Sequence, residues 1–137
     1  MTDRFNSNIL GIEEADLILM IGCNPRYEAT ILNSRIRKSY LKSKLPIYST
    51  NDIGDQTYPY KILDNSTNYI KDIVENKNDL SVEINNSSKP IIIIGQSILK
   101  LKSGKYIFEE MKKFLIKSNK INEKWNAFNL LAKDAST

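Results

Sequence analysis

Two short apolar runs, each closed by a glycine, constrain this chain more than any other feature. Leu17-Ile18-Leu19-Met20-Ile21 ends at Gly22, and Pro90-Ile91-Ile92-Ile93-Ile94 ends at Gly95. Neither run alternates with polar residues, so each reads as a strand buried on both faces, the pattern of a central parallel strand rather than of a half-exposed edge. Both glycines lead into a small polar turn (Cys23-Asn24-Pro25 and Gln96-Ser97) and then into a helical pattern. The two glycines are 73 residues apart, too far for a solenoid repeat, so the runs predict two halves of one sheet.

The segments between them fill in an α/β chain. Ser7 is a plausible cap for a short helix over 7–15, with Ile9, Ile12 and Glu13 at helical spacing and Asp16 at its end. Asn24 can cap a second helix with Pro25 in its first position, where the missing N–H costs nothing. That helix is predicted to reach about Lys42, with Ala29, Leu32, Ile36 and Tyr40 along one stripe and Arg35, Arg37, Lys38 and Lys42 largely off it. A strand over 45–49 completes a right-handed βαβ unit. Residues 51–68 read as loop, and Ser66 or Thr67 caps a short helix carrying Tyr69, Ile70, Ile73 and Val74. The Asn-, Ser- and Lys-rich stretch 76–89 reads as a weakly structured surface connection with a short helix around Leu80 to Ile84. A helix from about Lys105 to Lys117 has Ile107, Met111, Phe114 and Leu115 as its apolar face. A last helix is expected over 122–135, with Trp125, Phe128, Leu131, Ala132 and Ala135 along one side.

At 137 residues the chain suits one domain. No apolar run approaches the ~20 residues of a bilayer-spanning helix, and the mean hydropathy of -0.38 is that of a soluble globular protein. The N-terminal residues resemble neither a secretory signal nor an Arg-rich leader, so an organellar protein of this kind is expected to be made in place or to have lost its leader. The net charge of +4 comes from Lys and Arg interleaved with Asp, Glu and Asn, which argues for a solvated surface and against nucleic acid. With one cysteine, Cys23, the chain cannot form an internal disulfide, nor hold an iron-sulfur or structural zinc site alone. With no histidine it lacks the usual general base and the commonest transition-metal ligand. Catalytic and metal-ligating residues are therefore expected to be absent.

The turn Gly22-Cys23-Asn24-Pro25-Arg26 admits two readings. Helix N-termini and the C-terminal ends of parallel strands favour anions, yet the turn has one glycine and matches no dinucleotide or P-loop pattern, so a plain strand-to-helix joint is the stronger reading. Cys23 could be an activated thiolate, but no histidine exists to serve it, and a small buried residue is expected instead. Arg26, Arg35 and Arg37 could line an anion pocket or be solvated or paired. Trp125, Asn126, Phe128 and Asn129 could form a binding platform, although core packing or an interdomain contact fits their spacing better. The adjacent pairs Glu13-Glu14 and Glu109-Glu110 diverge on a helix and read as surface.

These phrases, in this order, resemble a known family. Gly11-Ile12-Glu13-Glu14-Ala15-Asp16, the strand that follows, Gly22-Cys23-Asn24-Pro25-Arg26-Tyr27-Glu28-Ala29 and Leu32-Asn33-Ser34-Arg35-Ile36-Arg37-Lys38 are similar to the C-terminal, molybdopterin-oxidoreductase-like region of the large iron-sulfur subunit of respiratory complex I. The likeness continues through Ile53-Gly54, Tyr58-Pro59-Tyr60, Asn65-Ser66-Thr67, Lys89 to Ser97 and Trp125-Asn126-Ala127-Phe128-Asn129-Leu130-Leu131, ending at Ala135-Ser136. It implies an open, mostly parallel α/β sheet with flanking helices, as part of a larger domain of which residues 1–137 are one piece. It implies that Gly22, Cys23, Asn24 and Pro25 are the relic of a turn that holds the cofactor's nucleotide end in molybdenum-bearing relatives, with no cofactor in this chain. The family's cluster-binding cysteines lie in an N-terminal region with no counterpart here, so iron-sulfur clusters are expected in a separate partner chain.

The resemblance further implies a non-catalytic, structural part of the peripheral arm of NADH:ubiquinone oxidoreductase, among other peripheral-arm subunits and without a membrane span of its own. The expected location is the matrix side of the mitochondrial inner membrane, or the cytoplasmic side in a bacterium. Ile-, Asn- and Lys-heavy usage resembles translation from an AT-rich organellar genome, and a divided subunit would suit a protist mitochondrion. Two alternatives stand beside this: the cofactor-binding piece of a molybdopterin-type oxidoreductase, and a free-standing flavodoxin-like binding domain.

Overall fold

A computed structural model of the chain describes residues 11–24, 30–64 and 66–131. Five strands, β1 (Leu17–Ile21), β2 (Ile47–Ser49), β3 (Lys61–Ile62), β4 (Pro90–Gly95) and β5 (Phe128–Leu131), form one sheet in the order β3-β2-β1-β4-β5. Every pairing is parallel. The two apolar runs are neighbours at its centre, in register from Leu17 opposite Pro90 to Ile21 opposite Ile94. All five residues of β1 and all six of β4 are buried, as continuous apolar strands require when both faces are covered.

Helices supply that cover. The helix α1 (Thr30–Ser43) places Leu32 and Ile36 on the face that presents Ile18, Met20, Ile47, Ile91 and Ile93. On the other face, α2 (Thr67–Val74), α3 (Asp79–Asn86) and α5 (Gly104–Lys117) bury Ile70, Ile73, Leu80, Ile84, Ile107, Met111, Phe114 and Leu115 against Leu19, Ile21, Ile92 and Ile94. Each such aliphatic side chain contributes about 1.5–3 kcal/mol on leaving water, so the sheet carries two full cores. A single turn, α4 (Gln96–Leu99), joins β4 to α5.

The expected strands β1, β2 and β4 and the helices α1, α2, α3 and α5 are present. Ser66 caps α2 by accepting the Tyr69 N–H at 3.1 Å, and α3 makes the 76–89 stretch more ordered than its composition suggests. Asn78 caps α3 through the Leu80 N–H, and the buried Ser81 hydroxyl donates to the Ile73 carbonyl. The loop 51–68 also contributes the short edge strand β3. Residues 11–14 form one 3-10 turn in place of the end of a helix over 7–15, whose beginning lies outside the described residues. The first turn of the helix expected after Asn24, including Pro25 and Arg26, also lies outside them.

The last helix is a correction. Residues 122–131 do not form one: Asn122 accepts the N–H groups of Lys124 and Trp125, and Asn126 accepts that of Phe128. These local side-chain bonds offer the backbone an alternative to a helical turn. Phe128–Leu131 then alternates half-buried and buried as β5, with Phe128 opposite Ile92 and Leu130 opposite Ile94. The rest of the expected helix, 132–135, lies outside the described residues.

Candidate functional site

The strand order sets where a ligand site belongs. β1 leads through α1 to β2 on one side, and β4 leads through α5 to β5 on the other, so the direction in which strands are added across the sheet reverses between β1 and β4. In open parallel sheets, crevices form outside the strand ends at such a switch point. Here Gly22 and Cys23 follow β1, and Gly95, Gln96 and Ser97 end β4.

The two turns lie against each other. Gly22 has φ +63° and its N–H donates to Thr50 Oγ1 at 3.0 Å, which ties the end of β1 to that of β2. The Ser97 hydroxyl donates to the Gly22 carbonyl. A Cβ at Gly22 would lie 2.2 Å from Ile98 Cγ1, and one at Gly95 would lie 2.1 Å from the Gly22 oxygen and 2.5 Å from Cys23 Cβ. The turns are thus in contact, with Ile98 and Ser97 over Gly22. Cys23 is 2% exposed, and its sulfur is 3.9 Å from the Ile93 carbonyl. The buried Tyr58 lies on the same face, its hydroxyl donating to Asn33 Oδ1 at 2.7 Å. Burial, followed by the nearness of Cys23, raises the Tyr58 phenol well above its ordinary value.

The other candidates do not converge on this point. Arg35 holds Glu13 in a two-bonded pair, Nε to Oε2 at 3.1 Å and Nη2 to Oε1 at 2.8 Å, while Arg37 is exposed. Glu14 pairs instead with Lys89, so Glu13 and Glu14 diverge, while Glu110 pairs with Lys113 and Glu109 is exposed. Trp125 donates from its indole nitrogen to the Pro90 carbonyl at 2.8 Å and packs against both cores. Asn129 is 3% exposed with both amide atoms unpartnered. Among the described residues no group of three or more Cys, Asp or Glu side chains is placed to hold a metal ion.

Several contributors carry no local sequence signal. Thr50, Tyr58, Ser97 and Ile98 complete the switch point, and only the repeated run-plus-glycine pattern points to Ser97 and Ile98. A cavity of about 370 Å³ lies away from the switch point, beside β3, lined in part by Tyr48, Lys61, Tyr69, Asp79 and Glu83. There the Tyr48 hydroxyl donates to Glu83, and burial, then Glu83, pushes its pKa up to about 12.

The Glu13 pair has a consequence for pH. The Arg35 hydrogen bond holds the Glu13 carboxyl below its usual 4.5, against a smaller opposing effect of burial. A depressed folded value means that the stabilisation is present above pH 4.5 and is lost as pH falls through the folded value. Glu13→Gln is expected to lower the melting temperature at neutral pH and to flatten its decline below pH 4.5. Glu13 is over a third exposed, so solvent screening keeps the effect small. Parallel wild-type and variant curves through the acid range would refute the pairing.

A five-stranded parallel sheet with helices on both faces and its switch point between β1 and β4 defines a doubly wound α/β domain. Residues 1–137 match the family described as Molybdopterin oxidoreductase, and the chain belongs to that family. It is 36% identical over 134 residues to the mitochondrial NADH-ubiquinone oxidoreductase 78 kDa subunit of Neurospora crassa, covering 96% of this chain and 18% of that protein. It is 36% identical over 132 residues to the NADH-ubiquinone oxidoreductase 75 kDa subunit of Reclinomonas americana, covering 96% and 19%. Its identity to an NADH-quinone oxidoreductase subunit of Rickettsia bellii is 32% over 132 residues, with the same coverage of 96% and 19%. The chain spans less than a fifth of the length of these relatives.

Proposed function

We propose that this chain is a structural, non-catalytic part of the peripheral arm of NADH:ubiquinone oxidoreductase, one piece of a larger molybdopterin-oxidoreductase-like domain. It would support a cluster-bearing part of the same subunit carried on a separate polypeptide, at the matrix side of the mitochondrial inner membrane or its bacterial equivalent. The observation that carries this is similarity along 96% of the chain to NADH-ubiquinone and NADH-quinone oxidoreductase subunits of Neurospora crassa, Reclinomonas americana and Rickettsia bellii. The contact between the Gly22 and Gly95 turns supports the non-catalytic part: a cofactor's phosphates seated there would have to part Gly95, Ser97 and Ile98 from Gly22 and Cys23. No helix among the described residues is long and apolar enough to cross a membrane, which fits a peripheral position.

Native electrophoresis of detergent-solubilised membranes, followed by mass spectrometry of the band with NADH dehydrogenase activity, tests this. The chain is expected in that band with a separate cluster-bearing polypeptide. Its absence from the band defeats the proposal. Molybdenum or tungsten with pterin, bound in proportion to the chain, would instead favour the cofactor-binding alternative that the family admits.

A further inference from the structure

The charge is unevenly placed. Between Gln96 and Lys124 eight lysines stand against three carboxylates, Glu109, Glu110 and Glu123, although the chain as a whole is only +4. The bias is strongest at the start of α5. Lys100, Lys102 and Lys105 are all exposed there, and among the described residues none of them forms an ion pair. The first turn of α5 has no acidic residue, and Ser103 makes no side-chain cap bond. A helix N-terminus carries partial positive charge, so three cations beside it oppose the dipole and cost stability in the isolated chain. Two large apolar side chains sit among them, Leu101 at 52% and Tyr106 at 38% exposure.

We propose that this face, Lys100, Leu101, Lys102, Lys105 and Tyr106, is a docking surface for an acidic protein surface on another chain. Carboxylates from a partner would offset both the lysines and the dipole end of α5, while Leu101 and Tyr106 would supply the apolar centre that protein interfaces need. The charge pattern favours protein over the other anionic surfaces. The exposed Glu109 and the half-exposed Glu110 follow on the same helix, where a sheet of anionic lipid headgroups would repel them. The face has no arginine, the residue best suited to phosphate forks, and Leu101 would have no role on a nucleic-acid backbone. The inner side of α5 is held independently by Ile107, Met111, Phe114 and Leu115, so the outer lysines can be changed without unfolding it.

The proposal rests on the assembly reading above, and its test separates the two. Tagged chain, as wild type, as Lys102→Glu/Lys105→Glu and as Lys102→Arg/Lys105→Arg, is followed on native gels by its fraction in the NADH dehydrogenase band as salt is raised. Wild-type retention is expected to fall with salt, the glutamate variant to be retained about tenfold less at moderate salt, and the arginine variant to match wild type. Circular dichroism melts confirm that all three fold. Equal retention of the glutamate variant at every salt overturns the docking surface and leaves the assembly reading standing. Absence of the wild-type chain from the band overturns both. Salt-sensitive co-sedimentation with cardiolipin-containing vesicles, lost in the glutamate variant, would assign the face to lipid and overturn the protein partner.

Discussion

Gly95→Ala is expected to destabilise the chain by about 3 kcal/mol or more, enough to unfold a domain of ordinary marginal stability. The reason is steric and not conformational. Gly95 has φ -85° and ψ 164°, a backbone that any residue adopts. What alanine cannot find is room: its Cβ would lie 2.1 Å from the Gly22 oxygen, 2.5 Å from Cys23 Cβ and 2.6 Å from Cys23 Cα. Two of those three atoms are backbone, at the end of the central strand β1, and cannot swing aside as a side chain would. Relief requires β1 and β4 to separate at their C-terminal ends, which breaks the Ser97 to Gly22 hydrogen bond and opens both cores at once. Gly54→Ala is the control. It has φ +81° but nothing within 4 Å of its Cβ position, so it costs only the left-handed strain, about 1 kcal/mol. Urea midpoints by circular dichroism measure both; a Gly95→Ala midpoint equal to wild type would show that the two turns are not packed together.

The same contact explains what could be read from the amino acids and what could not. β1 and β4 were legible because burial on both faces leaves only apolar residues, and no other element of this length looks like that. α2 was legible because its capping residue and a 3.6-residue stripe agree, and α5 through its stripe alone. β5 was not, because Trp125, Phe128 and Leu131 at intervals of three satisfy a helical face as well as they do a turn followed by a short strand. What decides between them is β4: the Ile92 N–H donates to the Ala127 carbonyl at 2.7 Å, and that partner lies 35 residues away in sequence. The switch point was half legible for a similar reason. Gly22 and Cys23 announce themselves at a strand end, whereas Thr50 and Tyr58 reach them from a loop whose path no local pattern specifies. The loop between α3 and β4 is held in the same non-local way, since the Asp16 carboxylate accepts from the Ser87 hydroxyl and from the N–H groups of Ser88 and Lys89.

Trp125→Ala is expected to cost about 3 kcal/mol, the low end for deleting a large aromatic because Trp125 is only partly buried. Its indole covers the edges of both cores at the start of β4, donates to the Pro90 carbonyl at 2.8 Å, and fills the space over Gly11, whose Cβ position is 2.6 Å from the ring. It therefore ties the 3-10 turn at 11–14 to the strand that displaced the expected last helix. Trp125→Phe separates the two contributions: it keeps most of the apolar contact and gives up the indole hydrogen bond, for a loss of about 1 kcal/mol. Trp125 is the only tryptophan, so urea unfolding must be followed by circular dichroism and not by its fluorescence. If Trp125 were a binding platform instead, the alanine variant would melt like wild type. Assembly adds a second readout, because any partner that binds only the folded chain raises its apparent stability. On the assembly proposed above, the alanine variant is expected in the NADH dehydrogenase band at low yield but at normal mobility, since the defect lies in folding and leaves the exposed lysine face of α5 unchanged.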